Sequence, residues 1–167
     1  MSKTDEYIEQ QRINAVKAAL NMKSSKTKPH VLIDELLKEI GINYIDEYIY
    51  KYYSIDIYLT DFDLPIEIHG DYWHVNPTKY DSPKYYRQKR SVATDKRKHT
   101  YIKNHYDKNI LYLWENDIYN DINKCRLLIE LFINNNGHLD NYNSFNYSVQ
   151  DDVVILNSII IATFQNT

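Results

Sequence analysis

The segment 56–74, Asp-Ile-Tyr-Leu-Thr-Asp-Phe-Asp-Leu-Pro-Ile-Glu-Ile-His-Gly-Asp-Tyr-Trp-His, sets carboxylates and imidazoles at spacings that can do chemistry. Alternate residues of a strand point to the same face. Within 65–69, Ile66 and Ile68 therefore take one face while Glu67 and His69 share the other. In the segment before it, Ile55 and Ile57 oppose Asp56. A carboxylate on one strand and Glu-x-His on its neighbour can converge on one divalent cation. Oxygen ligands of this kind suit magnesium or manganese and leave imidazole for phosphate or proton work. Each polar residue alone would be an ordinary solvent-facing strand position. Their joint spacing, followed by Gly70 and a second imidazole at His74, points to a metal-dependent phosphodiesterase with Asp56 and Glu67 as ligands.

Those residues need elements to hold them. Ile8, Ile13, Val16 and Leu20 recur near helical spacing and predict a helix over 4–21. A basic linker follows, then Pro29 opens a helix at the position where proline fits best, and Gly41 closes it. Strands are expected at 44–50, 54–59 and 65–70, joined by links short enough for an antiparallel meander. Ser82-Pro83 predicts the start of a long helix reaching about His105. Val92, Asp95, His99 and Ile102 lie on one side of it, so Asp95 is expected to point inward, toward His74 or as a helical pair with His99. Residues 109–114 read as a short buried strand, and 116–133 as a final helix. The tail holds Val153-Val154-Ile155-Leu156, which predicts one or two strands added to the sheet or to a partner chain, a route to a homodimer. The fold class is α/β (α+β): a mixed sheet flanked by helices.

A chain of 167 residues is long enough to bury one core. It has no apolar run of membrane-spanning length and no apolar leader, so a soluble, cytoplasmic protein is expected. The lone Cys125 offers neither a disulfide nor a cysteine zinc site, and no zinc is expected. The net charge of −3 is unpromising for nucleic acid, but its distribution is not even. Between 79 and 103 there are nine basic residues against Asp81 and Asp95, a net of +7, so the remainder carries −10. Such segregation predicts a basic face for a phosphate backbone, formed by Lys79, Lys84, Arg87, Lys89, Arg90, Lys96 and Arg97. Tyr85 and Tyr86 lie among these cations, where rings can stack on bases.

The spacing Asp56, then Glu67-x-His69, resembles the core of the PD-(D/E)xK nucleases with His69 in place of the usual lysine. The run Gly70-Asp71-Tyr72-Trp73-His74-Val75-Asn76-Pro77, an Asp on a long helix, and the strand Leu111-Tyr112-Leu113-Trp114-Glu115 narrow that likeness. They resemble the very-short-patch-repair branch, and more closely its phage-encoded homing endonucleases with an EDxHD motif. The resemblance covers roughly residues 26–131 and implies a restriction-endonuclease-like core over 29–133, between an N-terminal helix and linker (1–28) and a C-terminal extension (134–167). It also implies cleavage of duplex DNA with magnesium or manganese, the Ile68 carbonyl as a third metal ligand, and Asp95 as the motif's last acid. Its early acid falls at His30, which would either stand in as a base or, as a lone His near a helix N-terminus, be a surface residue with the early acid dispensable; Glu35, Glu39 and Glu47 are nearby candidates. His69 would orient water or steady the phosphate charge, so lysine in its place would recreate the commoner motif. His74 would protonate the leaving oxygen or hold the phosphate. A catalytically silent nucleic-acid-binding module and a nuclease acting on RNA are the alternatives.

Overall fold

Four strands form one sheet in the order β1-β2-β3-β4: β1 (Tyr44–Tyr50), β2 (Tyr53–Leu59), β3 (Leu64–His69) and β4 (Leu111–Trp114). β1, β2 and β3 run antiparallel as a meander, and β4 joins β3 in parallel, so the sheet is mixed. The computed structural model describes residues 3–22, 25–76, 78–138, 147–150 and 153–156. The helices are α1 (Lys3–Asn21), α2 (Lys28–Glu39), α3 (Tyr86–Tyr106), α4 (Glu115–Asn120) and α5 (Ile122–Asn134). Among the described residues no helix is long and apolar enough to cross a membrane.

The alternation of β4 divides the molecule into layers. Leu111 and Leu113 join Ile33, Leu36 and Leu37 of α2 and Leu128, Ile129 and Phe132 of α5 in one core cluster. Tyr112 and Trp114 belong to a second cluster with Ile102 of α3. A strand buried on both faces reads as a continuous apolar run, which is why 111–114 shows no alternation. Register then decides where the chemistry goes. Ile66 pairs with Leu111 and Ile68 with Leu113, whereas Glu67 pairs with Tyr112 and His69 with Trp114. Glu67 and His69 therefore face α3, opposite the α2–α5 layer.

Three expectations need correction. The long helix starts at Tyr86, not at Ser82. Gln88 folds back so that its Oε1 accepts from the backbone N–H of Lys84 and Tyr85, which holds the preceding residues extended. The final helix is two. Asp121 leaves helical conformation at φ −153° and caps α5 by accepting from Lys124 N–H. The tail segments Tyr147–Gln150 (β5) and Val153–Leu156 (β6) pair with each other as a hairpin and add no strand to the four-stranded sheet. Past α5, Gly137 has φ +78°, and a Cβ there would come within 2.6 Å of Leu64 Cδ2, so only glycine fits this turn.

The α3 layer also makes stability depend on acid. His99 is buried with Nδ1 2.8 Å from the Tyr112 hydroxyl, and burial pushes its imidazole down to about 4. The unfolded chain protonates this side chain near 6.5, so between about 6.5 and 4 acid favours the unfolded state. Stability is complete above that window and is lost as pH falls through it, by about 3 kcal/mol for this group alone. Denaturant unfolding at pH 7.5 and 4.5 measures the loss, and His99→Gln should shrink it.

Candidate active site

β2 and β3 stay in register from Leu59↔Leu64 to Ile57↔Ile66 and no further. Beyond that point the Asp56 carboxylate itself accepts the Ile68 N–H at 2.9 Å, which fixes the acid at the end of β3. Asp56, Glu67 and Ile68 line a cleft of about 700 Å³, together with Lys26, His30, Glu47, Tyr72, Trp73, His74 and Glu115. His30 of α2 and Glu47 of β1 approach Asp56 from the other side, with ligand atoms of all three within 4.8 Å of one another. Glu47 has φ +55°, an unusual backbone for a residue with a side chain, at the strand position facing Asp56. Of the three acids offered as replacements for the early motif acid, the structure brings Glu47 to the site. Glu35 and Glu39 line a separate groove against α5. His30 is not a surface residue; it is buried, and its Nε2 also lies 2.9 Å from Asp46.

Glu67 is 5% exposed and its Oε1 accepts from Lys98 Nζ of α3 at 2.8 Å. Burial pushes its carboxyl up to about 7, with the Asp56 and Asp95 charges adding to that and the Lys98 ammonium opposing it. Burial works against the charge of Lys98 too, but Glu67 and its acidic neighbours hold the ammonium above the ordinary lysine range. Carboxylates crowded on a cleft floor, one of them driven toward its neutral form, are a donor set that a divalent cation would relieve. All-oxygen ligands from Asp56, Glu67 and Ile68 fit magnesium, and His30 nearby widens the fit to manganese.

The turn after β3 presents the second imidazole. Asp71 is buried and accepts from Asn76 Nδ2 at 2.8 Å, Lys79 Nζ at 2.7 Å and Asn116 N–H at 3.2 Å, while Glu115 accepts the Asp71 N–H. This set holds the 70–76 loop against the start of α4. Asp71 is thus a loop anchor, and Lys79, expected on the basic face, is engaged in that anchor. His74 emerges at the cleft with Nδ1 2.7 Å from Asp95 Oδ2. The inward helix face brings Asp95 to His74 at hydrogen-bonding distance.

His69 is where the structure departs most from the sequence reading. It is 1% exposed, is not among the cleft-lining residues, and neither ring nitrogen has a hydrogen-bond partner among the described residues. Its ring stacks on His74 at 4.0 Å and 9°, and packs edge-on against Trp114 at 5.1 Å. Burial, with the nearby His74 and Lys98 charges, drives its pKa well below the ordinary value and leaves a neutral ring. A side chain closed off in this way lies behind His74, out of reach of a phosphate in the cleft. Two parallel rings also cannot aim their in-plane lone pairs at one ion, so the close grouping of His69, His74 and Asp95 is not a metal site.

Along α3, Tyr86, Arg87, Lys89, Arg90 and Arg97 are exposed and Lys96 is half-buried, with Lys84 and Tyr85 exposed just before the helix. Tyr72 at the cleft mouth lies 6.3 Å from the Tyr85 ring and 5.0 Å from the Trp73 ring, linking this basic segment to the cleft through aromatic contacts. Tyr72 and Trp73 are both exposed. In the sequence Tyr72 and Trp73 belong to the run that carries the resemblance and Lys98 to the nine cations of 79–103, but none of the three has a role in the expected site. Two aromatics beside a candidate histidine were a signal available in the chain, and for Lys98 the signal was its helical spacing from Asp95 and Ile102.

No family model and no curated protein matches the chain. Among solved structures it is similar to the catalytic domain of the homing endonuclease I-Bth0305I, at 25% identity and a TM-score of 0.50, over 66% of this chain and 98% of that one. The fold is that of an endonuclease catalytic domain. The mixed sheet and flanking helices expected from the sequence agree with it, and the part of this chain outside the match is about a third of its length.

Proposed function

We propose that this chain is a metal-dependent endonuclease that hydrolyses phosphodiester bonds in duplex DNA, of the homing type and of the EDxHD branch. The observation that carries the reading is the joint opening onto one cleft of Asp56, Glu67 and an imidazole held by a carboxylate, His74–Asp95. The similar solved structure, a homing endonuclease catalytic domain, supports the reaction class. Asp56, Glu67 and the Ile68 carbonyl would hold magnesium or manganese, with Glu47 and His30 beside Asp56 to complete the set. When bound, such an ion polarises the scissile phosphate and lowers the pKa of water.

The chain's own groups divide the remaining work. With Nδ1 tied to Asp95, His74 has its Nε2 left to give a proton to the leaving oxygen or to hold the phosphate. His69 keeps the His74 ring in place by stacking, a positioning role instead of the expected contact with water or phosphate. The exposed cations from Lys84 to Arg97 would take the backbone, and Tyr85 and Tyr86 would stack on bases. Incubating supercoiled plasmid with magnesium or manganese, for wild type against Asp56→Ala, tests this function; an intact plasmid with wild type would refute it. A matched RNA duplex separates the DNA from the RNA reading.

Duplex affinity should fall steeply with salt despite the acidic net charge. A protein that neutralises several phosphates loses about a thousandfold or more between roughly 50 and 200 mM salt. Charge reversal at Arg87, Arg90 and Arg97, which share one side of α3, should flatten the logarithmic slope by at least about three units. An unchanged slope would place the DNA on another surface.

A further inference from the structure

We propose that Lys98 is an exchangeable counter-ion: its ammonium holds Glu67 in the metal-free protein and turns to a backbone phosphate of duplex DNA once a divalent cation takes that carboxylate. The inference rests on the nuclease reading above and concerns a residue that no sequence motif singles out.

An ammonium and a carboxylate buried together contribute little to stability, because both lose their hydration. This pair is also poorly placed for a structural role, since Glu67 opens on the cleft and the Lys98 side chain is 16% exposed. Lys98 lies three residues after Asp95 and four before Ile102, so it belongs to the side of α3 that packs on the sheet, unlike the exposed Arg97 beside it. Its Nζ is 2.8 Å from Glu67 Oε1. A divalent ion bound by Glu67 would stand beside the ammonium and compete with it for the same carboxylate, and the repulsion between the two cations favours release of the ammonium. Lys98 does not itself line the cleft, but its Nζ is held on Glu67, which does, and its flexible four-carbon stem lets the displaced charge move past that carboxylate to a phosphate. His69, on the same strand face as Glu67, does not take that place because its ring is buried and stacked behind His74.

The test is duplex binding by a short fluorescent DNA, in EDTA and in calcium, for the four proteins of the Glu67→Gln and Lys98→Met cycle. In EDTA, Lys98→Met should change affinity less than twofold on the wild-type background, where the ammonium is held by Glu67. On the Glu67→Gln background, where it is released without any metal, the same change should weaken binding at least fivefold. In calcium the wild-type protein should bind tighter than in EDTA, and Lys98→Met should forfeit most of that gain. Lys98→Gln, which keeps a hydrogen bond to Glu67 but no charge, should follow Lys98→Met; Lys98→Arg should keep the wild-type pattern. Equal effects of Lys98→Met on both backgrounds, or in both EDTA and calcium, overturn the exchange while leaving the nuclease reading intact. A wild-type protein that binds no duplex in either condition overturns both.

Discussion

Asp56→Ala is expected to lower plasmid cleavage by at least about a thousandfold while leaving the fold and duplex affinity nearly unchanged. The size follows from what the carboxylate does. It is the acid common to both sides of the cleft, with Glu67 and Ile68 on one side and His30 and Glu47 on the other. Loss of a directly placed charge at a reacting phosphate typically removes several kcal/mol from transition-state stabilisation. The structural cost is smaller by comparison: the hydrogen bond from the Ile68 N–H at 2.9 Å is worth about 1 kcal/mol. Asp56→Asn separates the two contributions, because the amide oxygen can still accept that bond but carries no charge. It should melt like wild type and cleave no better than Asp56→Ala. Cleavage at the wild-type rate by either variant would remove Asp56 from the site and with it the proposed metal position.

His74→Lys is expected to cost at least about a hundredfold in cleavage, the scale of general acid–base assistance. Lysine would remain charged near neutral pH, able to hold a phosphate but not to exchange protons. Asp95→Asn should share part of that loss without touching the cleft, since the amide can no longer favour the tautomer that Asp95 imposes through its 2.7 Å contact. The two histidines are not interchangeable, but the contrast is not the one the motif implies. Read as the counterpart of a strand lysine, His69 should accept lysine and keep partial activity. In the structure that position is closed, with His74 stacked 4.0 Å away and Tyr112 and Trp114 packed around it. An ammonium there would be buried, and His69→Lys should lose several kcal/mol of stability. His69→Phe, which can keep the stack, should fold and retain cleavage within about tenfold of wild type. Thermal melts beside the plasmid assay distinguish these outcomes. A stable, active His69→Lys would mean that this side chain does reach the phosphate.

The alternation of 54–59 and 65–69 was enough to separate Ile66 and Ile68 from Glu67 and His69, and the apolar run before Trp114 was enough to mark a strand covered on both faces. The inward side of the long helix likewise brought Asp95 into play before any fold was known. These properties are local, because a strand repeats every two residues and a helix every 3.6, so the chain carries them in its own spacing. Periodicity says which residues share a face, but not what covers that face or how deeply. Only the packing of α3 on β3 and β4 buried His69 behind His74, and only that packing drew Lys98, one of nine cations in its segment, onto Glu67. The choice of Glu47 over Glu35 and Glu39 required the β1–β2 register. The late start of α3 came from Gln88 folding back on Lys84 and Tyr85, and the break at Asp121 from a side chain bonding to Lys124. Depth of burial, cross-element ion pairs and caps arise from residues distant in the chain or from competing local bonds. For that reason the oxygen ligands were legible in the sequence, while the cation that guards them was decided by the tertiary structure.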